Sequence, residues 1–256
     1  MGFLETRRLS RFFGGLAAVL DLDLAIDRGQ IYGLIGPNGA GKSTVLNMIG
    51  GTMRPTYGEV AFDGHGMTGL PAHEHARRGI ARVFQENTLF SGFTVLQNVR
   101  VGHHLQSDVS LGSVFVNTRA HRSNEEMLKD KSMETLRFVG LSDYAGDMAM
   151  NLPHGRQRLL CLAIALATEP KLLLLDEPLT GMNADEIKDM LQKIRALKER
   201  GLTCILIEHN LRAVMGLCDR IAVLNFGQKI AEGTPEEVVR NPAVVEAYLG
   251  TEDDVA

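Results

Sequence analysis

The sequence lacks any excess of basic charge: 27 Lys and Arg stand against 31 Asp and Glu, a formal net charge of −4. Proteins that grip nucleic acid along its phosphates are basic, so no nucleic acid is expected as a partner. Cysteine is scarce as well. Cys161, Cys204 and Cys218 are an odd number, far apart, with no CxxC pair. That excludes a disulfide framework and, with no secretory leader ahead of them, predicts a reduced cytosolic compartment. Long apolar runs are missing too. The longest, around Leu162–Ala167 and Leu172–Leu175, fall far short of the ~18 residues that cross a bilayer, so any membrane role has to pass through a partner. No solenoid repeat or low-complexity tract interrupts residues 1–256, which read as one domain.

Metal-ligand spacing is also absent. His73-Glu74-His75 lacks the HExxH interval, and the neighbours His103 and His104 point to different sides of a helix; both pairs are expected on solvated helix faces. The opening Met1-Gly2-Phe3-Leu4-Glu5-Thr6 formally fits an N-myristoylation pattern but reads more simply as the start of a first strand.

Glycine is abundant. Its 27 copies are about one residue in ten against a usual share of about 7%, which points to places where backbone approaches something closely. The local signals are those of an α/β protein. Gln30–Ile35 reads as a strand, Lys42–Ile49 as a helix, Gly58–Phe62 with Asp63-Gly64 as a hairpin, and Ile80–Phe84 as a buried strand. Val95–Leu105 and Asn124–Val139 are helical, Gln106–Ser123 has little periodicity, and a mostly helical insertion is expected between about Gln85 and Glu169. Afterwards α/β order resumes with helix 155–168, strand Lys171–Asp176, helix 184–200, strand 203–208, helix 211–217 and strand 220–224. Thr234-Pro235-Glu236-Glu237 announces a final helix through a capping Thr, Pro at the first helical position and Glu three after the cap.

Two segments carry chemistry. Gly36-Pro37-Asn38-Gly39-Ala40-Gly41-Lys42-Ser43-Thr44 is a GxxxxGK[ST] loop between a strand and a helix. Its glycines let successive N–H groups point at phosphate oxygens, the helix start adds positive potential, Lys42 reaches the terminal phosphates and Ser43 offers a hydroxyl to Mg²⁺. Leu172–Leu175 followed by Asp176-Glu177 is a buried strand ending in two carboxylates, where α/β sheets bind ligands. Asp176 would serve the metal, and Glu177 would polarise an attacking water without binding the metal.

With these motifs the chain resembles the ATP-binding subunit of ABC transporters from about Leu4 to Gly250. The resemblance implies a P-loop NTPase α/β fold: a RecA-like core at about 1–85 and 170–256, an antiparallel β subdomain, and a helical subdomain at about 86–169. It implies ATP and Mg²⁺ as cofactors, with Gly36, Asn38, Gly39, Ala40, Gly41, Lys42, Ser43 and Thr44 on the phosphates. Phe13, with Phe12 as the alternative, would stack on adenine. Gln85, after Ala81-Arg82-Val83-Phe84, would join Ser43 and Asp176 at the metal and sense the permease, and His209 would touch the terminal phosphate. Glu177, His209 and Gln85 are thereby the expected catalytic residues.

The resemblance further implies a dimer in which one chain's phosphate loop meets the other's signature segment, here Leu152-Pro153-His154-Gly155-Arg156. This segment departs from Leu-Ser-Gly-Gly-Gln. Pro153 supplies neither hydroxyl nor N–H, so Pro153, His154 and Gly155 are expected to meet the partner's γ-phosphate through the N–H groups of the last two. The second ATP-binding subunit is either a copy of this chain or a similar, distinct one. Integral membrane permease subunits are the direct partners, placing the chain on the cytoplasmic face of the inner membrane, and a solute-binding protein is an indirect one. Gly181-Met182-Asn183, Asn151–Gly155 and Glu232-Gly233-Thr234-Pro235 look most like importers of branched-chain or other hydrophobic amino acids. Leu89, Phe90, Phe93 and Leu96 are either core or a groove for a permease helix. Two alternatives stand beside this reading: a non-transport ABC clamp, although such proteins often carry tandem cassettes or long coiled-coil insertions that these 256 residues do not show, and a P-loop kinase, which would share the phosphate loop without needing the signature segment or His209.

Overall fold

The computed structural model describes residues 2–86, 88–104 and 119–249. Between them the chain forms β1 (Leu4–Phe13), β2 (Leu16–Ile26), β3 (Ile31–Ile35), α1 (Lys42–Ile49), β4 (Tyr57–Phe62), β5 (His65–Gly66), α2 (Ala72–Arg77) and β6 (Ile80–Val83). Three helices follow: α3 (Val95–His104), α4 (Arg119–Val139) and α5 (His154–Ala167). The remainder is β7 (Leu172–Asp176), α6 (Ala184–Glu199), β8 (Thr203–Ile207), α7 (Leu211–Leu217), β9 (Arg220–Asn225), β10 (Gln228–Gly233), α8 (Pro235–Val239) and α9 (Pro242–Leu249).

Two sheets result. A six-stranded sheet runs in the order β10-β9-β3-β8-β7-β6, and a four-stranded one in the order β2-β1-β4-β5. Every residue of β3, β7 and β8 is buried, the expected condition of parallel strands covered on both faces. The smaller sheet is antiparallel, with Leu4 opposite both Ile26 and Phe62. Arg8 and Asp21 take positive φ where the β1–β2 register shifts, and the Arg8 N–H donates to Asp23 Oδ1 at 2.7 Å, which satisfies the bulge. Leu4, Leu9, Leu22 and Phe62 of this sheet join Val45, Leu46 and Ile49 of α1 and Leu172, Leu174 and Ile205 of the larger sheet in one core. The body of α1 is therefore held between two sheets.

The chain divides into two compact units. The first is assembled from the segment up to Arg82, from Lys171–Glu177, and from Ile194 onward; the second comprises Val83–Pro170 and Pro178–Lys193. In the second, α3, α4 and α5 pack on one another around Val99, Leu136, Leu160 and Leu162. At Gly102 the backbones approach so closely that a Cβ would stand 2.6 Å from Ile164 O.

Two histidines differ from the sequence expectation. His75 is buried, with Nδ1 2.9 Å from Ile49 O at the end of α1. A carbonyl only accepts, so Nδ1 carries the hydrogen, and burial holds the imidazole below its ordinary pKa. His103 is also buried, because α3 is covered by α5. Both helices are polar enough to read as solvated, yet each turns its histidine toward a neighbour. The other half of the second pair, the side chain of His104, lies outside the described residues, as do most of the weakly periodic residues 106–123. At Thr234 the capping box forms as expected: the Thr234 N–H donates to Glu237 Oε2 at 2.8 Å and the Glu237 N–H to Thr234 Oγ1 at 3.4 Å.

Candidate functional site

The phosphate loop leaves β3 and enters α1 through backbone that only glycine accommodates at two points. Gly36 has φ 148°, and a Cβ there would lie 2.0 Å from Leu224 O; Gly41 has φ 101°, and a Cβ would lie 2.3 Å from Ala18 O. Gly227 closes the loop from outside by donating its N–H to Ala40 O at 3.1 Å. Lys42 folds back over the loop, Nζ donating to Gly36 O at 2.7 Å and to Pro37 O at 2.9 Å. Burial holds this ammonium below the ordinary lysine pKa, against the opposing pull of Glu177 and Asp176. Ser43 is exposed at the first turn of α1 and Thr44 is half-buried.

Parallel strands bring the carboxylates and the histidine to one edge. Asp176 is the last residue of β7 and pairs with Ile207, the last of β8, so the residues just beyond them are neighbours. Glu177 adopts φ 49°, an uncommon conformation for a residue with a side chain, while its N–H donates to Ile207 O at 3.0 Å. His209 Nε2 lies 2.7 Å from Glu177 Oε1. Glu177 is mostly buried and His209 half-exposed, leaving the pair open to solvent on the imidazole side.

Two residues outside any motif complete this edge. Arg82, on β6, donates through Nη2 to Asp176 Oδ2 and through Nη1 to Asn47 Oδ1, each at 2.6 Å. The other Asp176 oxygen, Oδ1, is buried and has no hydrogen-bond partner. An orphaned anionic oxygen beside a phosphate loop fits a cation. Among the described residues no group of three or more His, Cys, Asp or Glu could hold a metal alone, so the metal would need other oxygens, such as phosphates and the Ser43 hydroxyl. The signal for Arg82 in the sequence was a lone cation in a short, largely buried strand.

Phe13 ends β1 and is 45% exposed, the Arg11 guanidinium 4.8 Å from its ring centre. Phe12 is half-buried and packs edge-on against Tyr57 at 6.1 Å.

Gln85 and the signature segment belong to the second unit. Gln85 is exposed two residues beyond β6. The backbone beside it is tethered, because the buried Arg158 of α5 donates to Phe84 O at 3.2 Å. Pro153 is the N-cap of α5, and its carbonyl accepts from the Gln157 N–H at 3.0 Å. Gly155 is packed against α6: a Cβ there would stand 2.2 Å from Glu186 Oε1. His154 lies against Gly181, where a Cβ would come within 2.8 Å of the imidazole Cε1. Arg156 places its guanidinium 4.2 Å from the Tyr144 ring centre, a cation–π contact that an uncharged glutamine could not make. The same unit exposes Phe84, Phe90, Phe93 and Met150, with Phe90 and Phe93 stacked at 5.5 Å.

The ABC transporter family profile matches residues 19–180, and a second profile, described as a branched-chain amino acid ATP-binding cassette transporter, matches residues 228–254. The high-affinity branched-chain amino acid transport ATP-binding protein BraF of Pseudomonas aeruginosa is 39% identical over 250 residues, covering 96% of this chain and 97% of BraF. Among solved structures, a nucleotide-free ATP-binding cassette from an ABC transporter aligns with TM-score 0.85 and 32% identity, covering 98% of this chain and all of that one. A dimeric cassette in a post-hydrolysis state, bound to ADP and Pi, aligns with TM-score 0.78 and 25% identity, covering 91% of this chain and 98% of that one.

Proposed function

The chain belongs to the ABC transporter family as an ATP-binding subunit, and from that premise we propose that it hydrolyses ATP to drive import of branched-chain or other hydrophobic amino acids. The amino-acid reading is supported by the likeness to BraF and by the C-terminal match at residues 228–254. The observation that carries the catalytic assignment is the 2.7 Å contact between Glu177 and His209 at the edge where β7 and β8 end. A carboxylate so fixed can orient and polarise a water, while the imidazole stays exposed enough to meet a terminal phosphate.

Binding roles follow from the same edge. Lys42, released from the Gly36 and Pro37 carbonyls, would move its charge onto the β- and γ-phosphates. Phe13 offers the more exposed ring for adenine, Phe12 being engaged with Tyr57. Ser43, Asp176 and Gln85 would hold Mg²⁺, which would supply neutralisation of the charge that develops on the phosphates. Pro153, His154 and Gly155 would face the γ-phosphate bound by a second ATP-binding subunit, in the manner of a dimeric cassette.

The exposed rings of Phe84, Phe90 and Phe93 offer an apolar surface for a permease helix. Among the described residues no helix is long and apolar enough to cross a membrane, so attachment to the cytoplasmic face would run through that permease. Gln85 lies beside this surface in sequence, which suits a sensor of permease position.

The test is Glu177→Gln. It should retain ATP binding and lose about 10²–10⁴-fold in turnover, the usual contribution of a water-orienting base. Unchanged steady-state hydrolysis, measured free of contaminating ATPase, rejects the assignment.

A further inference from the structure

Arg82 bridges two elements of the site. Its side chain is 11% exposed and that of Asp176 6%, so the ion pair between them is largely withdrawn from water. Such a pair is worth keeping only where its geometry matters, since exchange for apolar residues is often neutral. Here the geometry is constrained at both ends. Guanidinium donors form a rigid, permanently charged fork. With one arm on Asn47 Oδ1 at 2.6 Å, the direction of the arm on Asp176 Oδ2, also at 2.6 Å, is set. Asn47 lies four residues after Ser43 on α1, a spacing that puts both on one helix face. Asp176 Oδ1 is left buried and unpartnered.

We propose that Arg82 is a positioning residue for the metal: anchored on Asn47, it engages Asp176 through Oδ2 and so reserves Oδ1 for the Mg²⁺ shell. This rests on Asp176 being the metal carboxylate. The fork also ties the metal carboxylate to the helix that begins with Lys42 and Ser43, so both halves of the site hold one register. An opposite role can be distinguished by its sign. Were Arg82 a stand-in cation that the metal must displace, weakening it would tighten metal binding.

The experiment uses the full chain with ADP, to avoid turnover, and Mn²⁺ as the spin probe, its binding read from loss of the free-ion signal. Nucleotide affinity in EDTA and the metal-free melting temperature are measured alongside. Arg82→Lys keeps the charge but loses the planar fork whose separate arms, Nη1 and Nη2, fix the directions to Asn47 and Asp176, and should weaken Mn²⁺ binding by about tenfold or more, the usual penalty for disturbing a residue behind a metal ligand. Asn47→Leu leaves the ion pair in place and removes its anchor, together with the 3.3 Å bond from Thr52 Oγ1 to the same Oδ1, while Thr52 keeps its bond to the Asn47 carbonyl; it should shift Mn²⁺ affinity in the same direction by less, without changing ADP affinity in EDTA. Should Arg82→Lys fail to fold, Asn47→Leu decides alone. Wild-type or tighter Mn²⁺ affinity in the folded variants overturns the proposal. Asp176→Asn separates the premise: if it binds Mn²⁺ with ADP as well as wild type does, the metal reading itself falls.

Discussion

Lys42 is held by two carbonyls, Gly36 O at 2.7 Å and Pro37 O at 2.9 Å. Its ammonium sits below the ordinary lysine pKa because it is buried. Bound phosphate favours the charged form, so nucleotide should raise that pKa. The sign follows: between the lowered pKa of the free protein and the raised pKa of the complex, binding takes up a proton, and affinity falls as pH rises by up to about tenfold per pH unit. Calorimetry in two buffers of different ionisation enthalpy reads the proton directly. Lys42→Arg, whose guanidinium stays charged, should bind more weakly at neutral pH but lose the alkaline decline. Absence of proton uptake throughout a titration from neutral pH to beyond the ordinary lysine pKa would remove Lys42 from the phosphate site.

At the scale of elements, the two helices around the signature segment share a side chain. Asn183 Oδ1 accepts from the Asp185 and Glu186 N–H groups, each at 3.0 Å, and Glu186 Oε2 accepts from the Asn183 N–H at 2.9 Å. This capping box starts α6. The same Glu186 carboxylate occupies the space beside Gly155, which is why position 155 tolerates no side chain without moving it. Gly155→Ala should therefore displace the cap and cost about 1 kcal/mol of stability, as loss of an N-terminal cap does. Glu186→Ala should cost a similar amount, and the double variant less than the sum, because the cap can be lost only once. Gly155→Asp sets one carboxylate against another and should be the most destabilising. Denaturant melts of the four proteins check the coupling; strict additivity would show that Gly155 and Glu186 act independently.

At the scale of the whole molecule, the phosphate loop lies in one compact unit and the signature segment in the other, and in the proposed dimer each active site takes one from each chain. The altered signature does not look degenerate. Pro153 caps α5, His154 packs on Gly181 and Arg156 is engaged with Tyr144, so the segment is built into the unit at each position. A homodimer of this chain should therefore be competent, with ATPase activity rising as the second power of protein concentration at the dilute end. Persistent inactivity that is rescued by a second, distinct ATP-binding subunit would assign the working sites to a heterodimer instead.

The sequence alone determined the phosphate loop, the strand ending in Asp176-Glu177 and the order of α/β elements through the second half, because each depends on contiguous residues and local periodicity. It also held the capping box at Thr234, in which Thr234 and Glu237, three residues apart, bond reciprocally. Other features could be decided only by the tertiary structure. The bulged pairing of β1 with β2 breaks simple alternation, and β10 and α9 are short elements given their place by neighbours. His75 and His103 lie on helices whose composition looks solvated, and are buried by α1 and by α5 packing from elsewhere in the chain. Arg82 stands 94 residues from Asp176 and 35 from Asn47. No motif spans such intervals, since the interaction exists only once β6, β7 and α1 have packed. The chemistry of this site was thus written in short runs of sequence, while the geometry that aims its carboxylate came from the fold.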